Sequence, residues 1–107
     1  MNSKKQTSNN QQSRIRSVTA LFPLGTVGAT PGALDLLDRT GMNAAIFVDR
    51  HQRGDFGTVG ADDAQANKDA IEDGNRILSS YTIDGERLWI ITEADRAFTT
   101  LLLPGEY

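Results

Sequence analysis

The sequence of 107 residues contains no cysteine and no long hydrophobic run. Without cysteine there can be no disulfide framework, no thiol nucleophile and no zinc site with thiolate ligands. The apolar runs fall well short of the ~18 residues that a membrane-spanning helix needs. Lys4 and Lys5 are not followed by the apolar segment of a secretory signal peptide. We therefore expect a cytoplasmic protein with no membrane partner.

Sequence motifs of high specificity are also missing. The chain has no phosphate-binding GxxxxGK followed by Ser or Thr, no dinucleotide-binding GxGxxG, no HExxH and no GxSxG. One histidine with scattered aspartates is a poor ligand set for zinc. We expect neither a metal nor a cofactor.

Charge is distributed unevenly along the chain. The net charge is −3; four of the 11 basic residues precede Ser17 and all 14 acidic residues follow it, which leaves −7 on the remainder. An acidic body disfavours a broad nucleic-acid-binding surface. Residues 1–17, rich in Asn, Gln, Ser and Lys, are predicted to be a disordered basic tail. Residues 18–107 are predicted to form a single domain.

The last third of the chain predicts three antiparallel strands. Polar and apolar residues alternate over Arg76–Ile83, Arg87–Thr92 and Ala97–Leu103, which is typical of strands with one buried face. Asp84-Gly85 between the first two strands is a strong hairpin signal. Because both faces of the third strand carry Leu, we expect it to be central in the sheet or covered on both sides.

Three helices are predicted upstream of these strands. The first, Pro31–Arg39, begins at a Thr-Pro pair, and Asn43 caps the second, which should end before Gly54. The third begins at Asp62, with Gln65 completing a capping box. With an irregular edge strand over Leu24–Val27, the expected fold is α+β. It has about three short helices packed on a small antiparallel sheet, with a C-terminal three-stranded meander.

His51 is the first candidate for chemistry, since imidazole titrates near neutral pH. With Arg53 and Asp55 it could form a cluster that binds a phosphate or a carboxylate. The alternative is structural: Ala44, Phe47, Val48 and His51 share one helix face. His51 would then pack against the sheet while Arg53 and Asp55 make hydrogen bonds in the loop.

Arg96 is the second candidate, because it stands at a strand start beside the hydroxyl of Thr99. A fork-shaped guanidinium in that position suits phosphate contact. Tyr81 adds a hydroxyl on another strand of the meander. The alternative is a charged hairpin turn in which Arg96 stays in water, with Tyr81 in the core.

From Leu21 to Tyr107 the chain resembles a family of short bacterial proteins from plasmids and integrative elements, usually labelled "plasmid-related protein". Some members are labelled as a type I restriction modification subunit, but this chain is too short for a methyltransferase domain. The segments that carry the resemblance are Phe22–Gly25, Ala29–Leu34, Arg50-His51, Gly54–Gly57, Leu78–Tyr81, Trp89–Arg96, Thr99-Thr100, Leu102–Pro104 and Glu106-Tyr107. The resemblance implies an accessory role on a mobile element and no established activity.

Three function hypotheses follow. The first is a non-enzymatic protein that binds an unidentified host or plasmid protein, and an exposed sheet face would also be compatible with a homodimer. Its predicted contact residues lie on the acidic third helix and in the adjacent loop: Arg53, Asp55, Phe56, Asp69, Glu72 and Asp73.

The alternative is a small metal-independent ribonuclease, similar in architecture to the RelE, barnase and colicin nuclease group. His51 would act as general acid or base, Arg96 would stabilise phosphate charge, and Thr99 or Tyr81 would hydrogen-bond the RNA. Direct DNA binding through the basic tail is a third possibility.

Overall fold

The protein is described by a computed structural model that covers residues 20–107. The predicted disordered tail and the first two residues of the predicted domain lie outside this range. In chain order the elements are β1 (Thr26–Ala29), α1 (Pro31–Thr40), α2 (Ala44–Gln52), α3 (Ala61–Asp73), β2 (Ile77–Ile83), β3 (Glu86–Thr92), β4 (Phe98–Leu102) and a 3₁₀ turn (Pro104–Glu106). The predicted α+β class is confirmed.

The first two helices begin where the sequence predicts. The Thr30 hydroxyl accepts a hydrogen bond from the N–H of Ala33 at the start of α1, and the Asn43 side chain accepts one from Ala45 at the start of α2. These bonds satisfy N–H groups that have no partner within the helix. Gly41 then ends α1 in the left-handed conformation.

The start of α3 differs from the prediction. The helix is capped by Gly60 without a side-chain hydrogen bond, so Asp62 and Gln65 do not form a capping box. Gln65 donates instead to Asp69, one turn further along the helix. Asp62 and Asp63 lie in the first turn, where a negative charge interacts favourably with the helix dipole.

The sheet has the strand order β1-β4-β3-β2. β2, β3 and β4 form the predicted antiparallel meander, and the hairpin at Asp84-Gly85 has φ values of 49° and 80°. β4 is central, as expected. β1, however, pairs parallel to β4, so the sheet is mixed and not purely antiparallel. Three helices and the strands β2 and β3 lie between β1 and β4 along the chain. A connection of this length permits parallel or antiparallel pairing of the two strands.

The main core lies between the first two helices and one face of the sheet. Its buried members are Ala33, Leu36 and Leu37 of α1, Phe47 of α2, and Tyr81, Ile83, Leu88, Ile90 and Leu101 of the strands. A smaller cluster joins α3 to the chain before β1 and to β2, and its buried members are Phe22, Phe56, Ala70 and Ile77.

The outer edge of β2 is covered along its middle. Asn67 of α3 both donates to the carbonyl of Leu78 and accepts from its N–H, in the manner of a neighbouring strand. Two residues further on, the N–H of Ser80 donates to the carbonyl of Phe56, and the carbonyl of Ser80 accepts from Thr58. These contacts occupy backbone groups that would otherwise be free to pair with another chain.

The C-terminal turn is fastened to α1 by Glu106. Its carboxylate accepts hydrogen bonds from the Thr30 hydroxyl and from the N–H groups of Gly32 and Leu103. These donors, led by the Thr30 hydroxyl, hold the pKa of Glu106 below its usual value. A carboxylate at a helix N-terminus also interacts favourably with the helix dipole.

Candidate functional site

His51 lies in the last turn of α2 and is fully buried, with 0% of its surface exposed. Both ring nitrogens have partners on the sheet. Nδ1 lies 2.6 Å from the Ser79 hydroxyl of β2, and Nε2 lies 2.9 Å from the Thr92 hydroxyl of β3. The ring of Phe22 packs edge-on against the imidazole, with 5.2 Å between ring centroids.

The hydrogen bonds continue from Thr92 to the chain before β1. The hydroxyls of Thr92 and Thr99 are 2.7 Å apart, and the Thr99 hydroxyl lies 2.7 Å from the carbonyl oxygen of Leu24. A carbonyl can only accept, so Thr99 must donate to Leu24 and accept from Thr92. Thr92 therefore accepts from Nε2 of His51, so the network places a proton on Nε2. When the ring is neutral, Nδ1 carries no proton and accepts from the Ser79 hydroxyl.

Burial of the imidazole lowers the pKa of His51 from 6.5 to about 4. The ring is therefore neutral at pH 7. It is buried against the face of the sheet, in contact with the ring of Phe22. His51 packs against the sheet, as the structural alternative predicts. No part of its side chain is open to solvent in this position.

The guanidinium of Arg96 is hydrogen-bonded to the main chain. It donates to the carbonyls of Ala70, Asn75 and Glu93, with N–O distances of 2.6 to 3.0 Å. The group thereby ties the turn before β4 to the end of α3, and it also lies over the ring of Phe22. These contacts use donors that a phosphate would need.

Tyr81 faces the main core of the sheet. Its hydroxyl donates to the carbonyl of Asp55 over 2.6 Å, and the guanidinium of Arg50 lies 4.6 Å from the ring centroid. Burial raises the pKa of Tyr81 to about 12.

The four residues predicted for a ribonuclease site do not come together. His51 and Thr99 belong to one buried hydrogen-bond network, whereas Tyr81 and Arg96 form hydrogen bonds to main-chain carbonyls outside it. The four residues proposed for a ribonuclease do not share an open cleft.

The loop after α2 is held by ion pairs at the surface. Arg53 contacts Asp49 at 3.1 Å, and Asp55 contacts Arg50 at 2.7 Å. The Arg50 guanidinium holds the pKa of Asp55 below its usual value. Arg53 and Asp55 are therefore exposed but already paired.

Phe56 in the same loop is buried, with 5% of its surface exposed. Its side chain belongs to the smaller core cluster and its carbonyl accepts from Ser80 of β2. The predicted role of Phe56 in partner contact does not fit this position, because the ring packs inward to cover the edge of the sheet.

The outer surface of α3 is acidic and exposed. Its carboxylates belong to Asp62, Asp63, Asp69, Glu72 and Asp73, and we refer to them as the acidic face. Within residues 20–107 none of the five forms an ion pair, whereas five carboxylates elsewhere on the surface are paired with arginines: Asp35, Asp49, Asp55, Glu86 and Glu93. Uncompensated negative charge is thus concentrated on this helix.

A small cleft of about 190 Å³ lies between the start of α3 and the strands β2 and β3. Arg87 and Trp89 form part of its wall, and neither was predicted as a site residue. Asp63 lines the same cleft. Its carboxylate would repel an anion that Arg87 attracts, so the cleft is not built for a phosphate.

Sequence reasoning missed the partners of His51. Ser79 shares a face of β2 with Ile77 and Tyr81, and Thr92 shares a face of β3 with Leu88 and Ile90. A hydroxyl that shares a strand face with apolar residues needs a hydrogen-bonding partner when that face is buried. The only histidine of the chain, on the buried stripe of a helix, is a natural partner. The strand hydroxyls and the histidine together could have predicted this hydrogen-bond network from the sequence.

Comparisons of the chain with protein-family models, with curated proteins and with solved structures find no match. No helix of residues 20–107 is long and apolar enough to cross a lipid bilayer. In the same part of the chain, no three His, Asp or Glu side chains are grouped as metal ligands would be.

Proposed function

We propose that this chain is a non-enzymatic protein-interaction domain that binds a host or plasmid protein through the acidic face of α3. The observation that carries the proposal is the concentration of five exposed carboxylates on one helix, none of which forms an ion pair with another residue of 20–107. The setting, an accessory protein of a plasmid or mobile element, is supported by the sequence resemblance alone. A cytoplasmic location also remains a prediction of the sequence.

The charge of α3 defines the kind of partner. Lys68 is the only basic residue on the helix. A surface of one sign accelerates the approach of a partner of opposite sign and disfavours partners of the same sign. The expected partner surface is therefore rich in Lys and Arg, and the association should weaken as salt is added.

We infer that the side chains assigned to the ribonuclease alternative serve the fold. His51 is enclosed by the sheet, and Arg96 is bound to three carbonyls. A nuclease site needs these groups to face a substrate. No observation on residues 20–107 favours RNA over protein as the partner.

The acidic face can be reversed without weakening the helix. Asp69, Glu72 and Asp73 lie toward the C-terminal end of α3, where a positive charge interacts favourably with the helix dipole. The variant Asp69→Lys/Glu72→Lys/Asp73→Lys should therefore fold. Asp38→Lys is a matched control, because Asp38 is an exposed carboxylate near the C-terminal end of α1.

The test measures capture of host or plasmid proteins by tagged wild type and by both variants at low and at physiological salt. The proposal predicts a protein that wild type and Asp38→Lys retain and that the triple variant loses. Circular dichroism melting confirms that all three proteins are folded. Equal capture by wild type and the triple variant would show that the acidic face is not the binding surface.

A further inference from the structure

The two edges of the sheet differ. The β2 edge is covered by Asn67 and the segment Phe56–Thr58, as described above. At the other edge, the N–H of Thr26 donates to Ala97 and that of Thr30 donates to Leu101 of the neighbouring strand. Because alternate residues of a strand point their backbone groups to opposite sides, those of Val27 and Ala29 point away from the sheet. Within residues 20–107, no segment bonds to them.

The surroundings of this edge leave room for another strand. Val27 is 46% exposed on one face. On the other face, a Cβ added at Gly28 would meet no atom within 4 Å, and Phe98 of β4 is 56% exposed. Proteins commonly protect a free edge with charged side chains, proline or a bulge. The strand Thr26–Ala29 carries no charge and no proline.

We propose that β1 is a receptor edge, to which an extended, apolar-rich peptide segment of a partner protein adds as a fifth strand. The outward N–H and C=O groups of Val27 and Ala29 would pair with the peptide backbone. Its alternate side chains would lie beside Val27 on one face and over Gly28 toward Phe98 on the other. Strand addition of this kind takes affinity from the main chain and specificity from side-chain contacts.

The size of the edge favours a peptide over a second copy of this chain. β1 has four residues, so it extends roughly 13 Å. Stable protein interfaces bury about 1,600 Å² in total, far more than two such strands can bury by pairing at this edge. β1 and β2 are the two opposite edge strands of the sheet, and α3 covers the β2 edge. The proposal for β1 therefore does not depend on the acidic face of α3.

One substitution removes an outward N–H group of β1 and leaves its hydrogen bonds to β4 intact. Val27→Pro removes the outward N–H of residue 27 but none of the hydrogen bonds that join β1 to β4, and proline is tolerated at an edge strand. Val27→Ala keeps the N–H and controls for the lost side chain. Val27→Lys, which adds a charge beside the edge, is a second blocking variant if Val27→Pro proves unstable.

The experiment uses the full chain and a phage-displayed library of random eight-residue peptides. We expect selected peptides, made synthetically, to bind wild type and Val27→Ala with similar affinity. Val27→Pro or Val27→Lys should bind at least about tenfold more weakly, as expected when a backbone partner is left unpaired. Amide hydrogen exchange at Val27 and Ala29 should be fast in the free protein and slowed by the peptide.

Three results would overturn the proposal. One is the absence of any peptide whose binding depends on residue 27. The second is slow exchange at Val27 and Ala29 in the free protein at every concentration, which would place another part of this chain on the edge. The third is exchange that slows as protein concentration rises, which would identify a second copy as the occupant.

Discussion

The substitution Thr92→Val breaks the buried network at its centre. Val has nearly the same shape as Thr but no hydroxyl. In the wild type the Thr92 hydroxyl accepts from Nε2 of His51 and donates to Thr99. In the variant one ring nitrogen of His51 has no partner in either tautomer, and the Thr99 hydroxyl loses its donor.

The expected cost follows from the burial of these groups. His51, Thr92 and Thr99 each have 0% exposure, so water cannot replace the lost bonds. A buried polar group left unpaired costs about 1–3 kcal/mol. With a smaller loss at Thr99, we expect the free energy of unfolding to fall by about 2–3 kcal/mol. For a domain of this size that corresponds to a melting temperature lower by roughly 10–20 °C.

Urea unfolding monitored by circular dichroism measures the change at pH 7. Thr100→Val is the matched control, because Thr100 is partly exposed on β4 and its hydroxyl has no hydrogen bond within residues 20–107. The control should stay within about 0.5 kcal/mol of wild type. If Thr92→Val were as stable as Thr100→Val, the hydrogen-bond network inferred around His51 would be wrong.

Three further predictions concern pH, Arg96 and Gly57. Burial lowers the pKa of His51 from 6.5 to about 4, and His51 is the only histidine, so between these values the imidazole binds a proton in the unfolded chain but not in the folded chain. The free energy of unfolding should therefore fall by about 2 kcal/mol between pH 7 and pH 5. This fall should shrink in His51→Gln, as urea titrations at each pH would show. Arg96→Lys should lower the free energy of unfolding by about 1–2 kcal/mol, because one ammonium group cannot reach three carbonyls; Arg87→Lys, measured in parallel, should have little effect. Gly57→Ala should cost about 2 kcal/mol in thermal or urea unfolding, since φ is +75° and a Cβ would lie 2.0 Å from the Ser80 carbonyl oxygen. Gly28→Ala, where no atom is near, should not be destabilising.

Signals that act over a few residues predicted the fold well. The pair Thr30-Pro31 and the turn Asp84-Gly85 restrict their own backbone, so helix α1 and the hairpin could be placed from the sequence. Alternation along the last three strands gave the meander. The parallel pairing of β1 with β4 joins residues about 70 positions apart and has no local signature.

The candidate site was harder to predict because its contacts are between distant elements. The helical stripe predicted that His51 faces the sheet, but not which hydroxyls it meets. Phe56 was predicted as a partner contact because it lies in the loop next to the acidic helix. An aromatic residue in a polar loop also gains by burial, and the structure shows that this effect decides its position.

Nuclear magnetic resonance of His51 tests most directly the claim that the predicted catalytic groups serve the fold. The chain has one histidine, so long-range ¹H–¹⁵N spectra of labelled protein contain a single imidazole. From pH 7.5 to pH 5 we expect a neutral ring with its proton on Nε2 and no titration. A midpoint near 6.5, with tautomers in exchange, would contradict the account and return His51 to the position of a candidate acid or base.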